Sequence, residues 1–158
     1  MSADVQNAYL QAPTSEKHFV ICGPEFVIEN IGKKAFINQS LCGKKVSRRD
    51  FRHHLQSCMK FLGFEYSQAD PDVRIRESVQ KDWSTKYYEY VLLYTDECLV
   101  NSQQGETVLR KEIGKYFNLK ESSIGPPTQY LGGKLHEVEL ENALNSLIDR
   151  KRVKWMCT

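Results

Sequence analysis

The chain of 158 residues is sized for one domain, and its 41% hydrophobic, 11% aromatic and 27% charged content excludes a disordered, fibrous or collagen-like protein. Its 22 basic and 20 acidic side chains leave a formal charge of +2, too small to imply a polyanion partner by itself. The opening MSADVQNAYL has no basic stretch followed by an apolar core, and no apolar run approaches the roughly 20 residues that a bilayer span needs. An intracellular protein is therefore expected, cytoplasmic or nuclear and neither secreted nor membrane-bound.

In chain order, ADVQNAYL reads as a short strand running into a turn of helix, and HFVIC (18–22) as a strand ending at Gly23-Pro24. KKAFINQSL (33–41) suggests another strand. Over 47–62, Phe51, Leu55, Cys58, Met59 and Leu62 recur at helical spacing, with Arg48, Arg49, Arg52 and Lys60 on other faces and Gly63 as the stop. ADPDVRIRES (69–78) is a turn entering an alternating strand. The run 87–93 is strongly β and should pair with the apolar residues after Glu97, placing Asp96 and Glu97 at a hairpin tip.

A helix over 106–117 should carry Leu109, Ile113, Tyr116 and Phe117 on one stripe, and Gly125-Pro126-Pro127 marks a loop. QYLGGKLHEVEL reads as a strand interrupted by glycines, and 143–153 as helix. The order predicts an α+β fold whose helices cover one face of a sheet, leaving the other free for ligand.

Cys22, Cys42, Cys58, Cys98 and Cys157 form no Cys-x-x-Cys pair, so reduced thiols are expected rather than disulfides or a zinc site. His53, His54 and Cys58 do not make a metal set, because adjacent helical residues point about 100° apart. Basic residues concentrate in GKKVSRRDFRHH (43–54) and DRKRVK (149–154), where a local face can meet nucleic acid although the total charge is small.

The adjacent acids Asp96 and Glu97 repel each other unless a cation or solvent compensates. A hard divalent ion suits them, and two-metal phosphoryl chemistry would need a further carboxylate from a neighbouring strand. On the pair alone, a plain polar turn is the simpler explanation.

ADVQNAYLQAP, GPEF, SLCGKKVSRRDF, LGFEYSQADPDV, YVLLYTDE and YLGGKL come in an order and spacing that resembles the reverse transcriptase of copia-type LTR retrotransposons, over roughly residues 3 to 140. The resemblance implies a polymerase palm-like antiparallel sheet, with residues 1–140 as a palm-like domain lacking its fingers and 141–158 as a divergent helical tail. It implies that Asp4, Asp96 and Glu97 are the catalytic acids, with Asp4, the Val5 carbonyl and Asp96 holding magnesium or manganese, two ions in an active enzyme.

Tyr9 matches the aromatic beneath the incoming sugar, and Gly43 and Lys45 match a segment that approaches the nucleotide. Arg48, Arg49 and Arg52 are in place to meet template-primer phosphates, and Gly132 and Gly133 match the turn that holds the primer end. The partners implied are an RNA or DNA template-primer and deoxynucleoside triphosphates.

Each position also has a plainer role. Asp4 can be a polar residue near a chain end, Tyr9 a core aromatic, the arginines a solvated helix face and the glycines a β-bulge. Cys42, Lys44, Val46 and Glu97 depart from the family pattern. Two functions stay open: RNA-directed DNA polymerase, and a catalytically inactive remnant that binds nucleic acid.

Overall fold

A computed structural model describes residues 1–80, 85–131, 133–139 and 153–157. In chain order its elements are β1 (Ser2–Asp4), β2 (Pro13–Ile21), β3 (Lys34–Gln39), α1 (Ser47–Phe61), β4 (Glu65–Tyr66), β5 (Val73–Val79), β6 (Lys86–Tyr94) and β7 (Glu97–Asn101). A helical segment over 105–115, here α2, comes next, and then β8 (Gln129–Tyr130), β9 (Gly133–Glu139) and β10 (Val153–Cys157). Short 3-10 turns lie at Ala8–Gln11, Ile28–Asn30 and Glu121–Ser123.

The alternating, β-branched and aromatic run of β6 makes it the centre of an antiparallel five-stranded sheet in the order β1-β7-β6-β5-β4. β2 and β3 form a separate two-stranded ribbon, and β8, β9 and β10 a third antiparallel set. The α+β reading therefore holds at the level of class.

One face of the large sheet presents Ala3, Val91, Leu93, Cys98 and Val100, all buried. Against it pack Phe51, Leu55 and Met59 of α1, together with Leu109 and Ile113 of α2 and the subsequent Phe117. Full burial of each such large side chain contributes roughly 1.5–3 kcal/mol, so this layer holds the fold together. The helix stop falls where the sequence puts it: Gly63 takes a left-handed φ of 82° and its N–H donates to the Lys60 carbonyl.

Several expectations need correction. α2 is not one regular helix: an α turn (Gly105–Thr107) widens into a π segment (Val108–Glu112) and tightens into a 3-10 turn (Ile113–Lys115). The change of pitch rotates Tyr116 off the apolar stripe, leaving it 39% exposed.

QYLGGKLHEVEL is a hairpin rather than a single strand, with Tyr130 paired to Gly133. Of the expected C-terminal helix, residues 143–152 lie outside the described residues. Val153–Cys157 is instead a strand antiparallel to β9, in keeping with the β preference of its valine and tryptophan.

β5 also faces opposite to what its apolar residues suggest. Arg74 points to the helix side and is 2% exposed, while Val73 and Ile75 lie on the other face. Arg76, on the helix side with Arg74, is accommodated by ion pairs with Glu89 (2.6 Å) and Glu112 (2.8 Å) and by stacking 4.2 Å from the Phe64 ring centroid.

Candidate functional site

A two-residue turn, Thr95-Asp96, joins β6 to β7, closed by the Tyr94–Glu97 pair. β1 pairs with the outer edge of β7, so that Asp4 lies directly across from Glu97. The Val5 N–H donates to the Asp96 carbonyl at 2.7 Å, which fastens the end of β1 to the hairpin tip.

Asp4 is not in a frayed segment. On the far edge of β1, the Asp4 N–H donates to Ser123 Oγ (2.8 Å) and the Lys120 N–H donates to the Asp4 carbonyl (2.8 Å). Isolated bridges from Ser2 to Gly125 and from Val5 to Leu119 complete this edge.

Asp4, Val5 and Asp96 consequently line one open cleft, together with Gln6, Asn7, Lys120 and Glu121. The Cys98 thiol beneath registers both acids. Its pKa is pushed up to about 12, first by complete burial and then by the negative charges of Asp4 and Asp96.

Glu97 behaves differently from its neighbour. It is not part of the cleft lining, and its Oε2 accepts a hydrogen bond from the Leu131 N–H at 3.2 Å. The adjacent Tyr130 hydroxyl is pushed up to about 12 by burial first and by Glu97 next, so the β8–β9 turn leans over this side of the hairpin. The sheet face opposite the helices is thus partly roofed rather than wholly free. Gly133 opens β9 beside that turn, and Gly132 lies outside the described residues.

Backbone strain gathers at the same place. Asn7 (φ 49°), Thr95 (φ 52°) and Leu131 (φ 51°) are the only non-glycine residues in the left-handed region among the described residues. Asn7 lines the cleft, Thr95 precedes Asp96, and Leu131 holds Glu97. Such conformations cost of order 1–3 kcal/mol and cluster at functional sites.

The other predicted positions do not join the cleft. Tyr9 packs edge-on against Phe51, with ring centroids 6.0 Å apart. Gly43, with φ 85°, and Lys45 are exposed in the turn before α1.

Arg49 donates to Ser15 Oγ (2.8 Å), and Arg52 pairs with Asp72. Arg48 is exposed on the first turn of α1. Lys120 and Glu121 escaped the sequence reading, because only long-range pairing with β1, through the Lys120–Asp4 backbone bond and the Val5–Leu119 bridge, brings them to the cleft.

As a test of metal fit, Asp4 and Asp96 offer hard oxygen donors on one cleft, the chemistry that suits magnesium or manganese. Among the described residues, no group of three or more acidic, histidine or cysteine side chains is gathered to hold an ion. Two carboxylates by themselves would leave most of a magnesium ion's coordination to substrate and water.

No described helix is long and apolar enough to cross a membrane. No family model matches this chain, and no curated protein matches it.

Proposed function

We propose that the chain is the palm portion of an RNA-directed DNA polymerase of the kind found in copia-type LTR retrotransposons, intracellular and acting on a template-primer with deoxynucleoside triphosphates. The observation that carries this is the meeting of Asp4 and Asp96, distant in sequence, on one cleft through the Val5–Asp96 backbone bond. Support also comes from the Leu131 contact to Glu97, which brings a third fragment of the family-like pattern to the same hairpin.

In such an enzyme the primer 3′-hydroxyl attacks the α-phosphate of the incoming nucleotide and pyrophosphate leaves. Magnesium or manganese, when bound, polarises the phosphate oxygens. The part of this chain is to present Asp4, Asp96 and the Val5 carbonyl as ligands fixed where the end of β1 is fastened to the β6–β7 turn, and position is what such chemistry demands.

A second reading, a nucleic-acid-binding remnant without catalysis, is favoured by one observation: Glu97 is tied to Leu131 and stands outside the cleft. Primer extension on an RNA template with magnesium or manganese separates the two. Under the polymerase reading the chain extends the primer, and Asp96→Asn lowers the rate by about a hundredfold or more. Absence of extension, with oligonucleotide binding that weakens steeply as salt rises, rejects the polymerase in favour of the binding module.

A further inference from the structure

On the helix side of the Thr95-Asp96 turn, a small cavity of about 40 Å³ opens between the first turns of α1 and the strands β5 and β6. Phe51, Leu55 and Leu93 form its apolar wall, while Arg48, Arg52, Arg74 and Asp72 supply its charge. Three guanidinium groups thus meet one carboxylate. That carboxylate is already engaged, since Asp72 Oδ1 accepts from Arg52.

Arg74 is the unusual member. It is 2% exposed, and its Nε and Nη1 are buried without a hydrogen-bond partner among the described residues. The Tyr66 ring, 3.7 Å from the guanidinium carbon, compensates only part of the buried charge. Burial lowers the Arg74 pKa more than Tyr66 and Asp72 raise it, the direction expected of a cation short of counter-charge.

Arginine nonetheless stays protonated in proteins, so the shortfall cannot be relieved by losing the proton. Leaving the donors of a buried charged group unpaired is costly, and a bound oxyanion is the partner that would recover that cost. The planar fork of arginine matches phosphate oxygens two at a time.

We propose that this cavity binds a phosphate oxyanion, with Arg74 as its buried anchor and Arg48 and Arg52 at its mouth. The shared chemistry is a tetrahedral phosphate group, whether free inorganic phosphate or a phosphodiester of a bound strand. The site stands apart from the acidic cleft and does not depend on the polymerase reading.

The test is thermal unfolding of the full chain in a phosphate-free buffer. Inorganic phosphate is added and compared with sodium chloride at matched ionic strength. At phosphate about a hundredfold above its Kd, the midpoint should rise by about 8 °C over the chloride control.

Arg74→Leu should abolish the rise. Arg48→Gln, at an exposed position, should weaken phosphate binding about tenfold in a calorimetric titration. It carries the test should the Arg74 variant fail to fold. Equal midpoints in phosphate and chloride would overturn the site, as would an undiminished phosphate effect in either folded variant.

A single-stranded DNA oligonucleotide distinguishes the source. Competition with phosphate assigns the site to a backbone phosphodiester, and unchanged phosphate affinity beside the bound oligonucleotide assigns it to the free anion. Both results uphold a phosphate site.

Discussion

At Glu89 burial and charge oppose each other. Burial by itself would push this carboxyl up, but hydrogen bonds from Ser102 and Arg76, the charge of Arg76 and a bond from Tyr87 (3.0 Å) outweigh it and hold the pKa below its ordinary value. A carboxylate depressed in this way adds stability that is present above its unfolded pKa, near 4.3, and is lost as pH falls through the lower folded value. Glu89→Gln should therefore flatten the acid limb of the stability curve below about pH 4.5. It should also cost about 3 kcal/mol near neutrality, at the lower end for a broken buried pair because Arg76 keeps Glu112. Urea melts of both proteins across pH 3 to 7 would show this; parallel acid limbs would contradict it.

Among the elements, α1 and the β2–β3 ribbon are joined through Asp50. This buried side chain accepts from the Ser15 N–H (2.9 Å) and Ser15 Oγ (2.8 Å), and Ser40 Oγ reaches it at 3.5 Å. The Ser15 N–H is the foremost reason that the Asp50 pKa is lowered. The ribbon has little else to hold it, since Phe19, Ile21 and Phe36 are more than half exposed. Asp50→Ala should cost about 2 kcal/mol locally, read as a roughly 30-fold loss of amide-exchange protection in β2 and β3 with β6 and β7 little changed. Uniform loss through the large sheet would show that the tie supports the whole fold instead.

α1 was legible because Phe51, Leu55, Cys58 and Met59 repeat at the helical period and all are buried. The β6–β7 hairpin was legible because its β run is interrupted only at the turn. β5 was legible as a strand but not in its facing: Val73-Arg74-Ile75-Arg76 alternates as a strand should, but alternation does not say which face is inward. The Glu89 and Glu112 carboxylates that admit Arg76 come from distant segments, so no local pattern reveals the inversion. Tyr116 was misplaced for a related reason, because a π segment leaves no mark in a periodicity that assumes constant pitch.

Across the whole molecule, legibility and function divide in the same manner. The acids Asp4 and Asp96 could be named from their fragments, but their shared cleft, the turning away of Glu97 and the presence of Lys120 all arise from pairings between remote strands. The left-handed residues belong to this scale too, since Asn7, Thr95 and Leu131 come from three separate segments and meet around one hairpin. Of these, Thr95 is the most strained, being β-branched, whereas asparagine tolerates that conformation. Thr95→Asn should raise stability by about 1 kcal/mol, measured as a higher urea midpoint at unchanged slope. An unchanged or lower midpoint would remove strain as a property of this turn. Selecting this chain for thermal endurance would then reward changes at Thr95 and Leu131 first, resetting the hairpin tip that bears Asp96 before the core, so its hardiest descendants would be the poorest witnesses to what the cleft beside it is for.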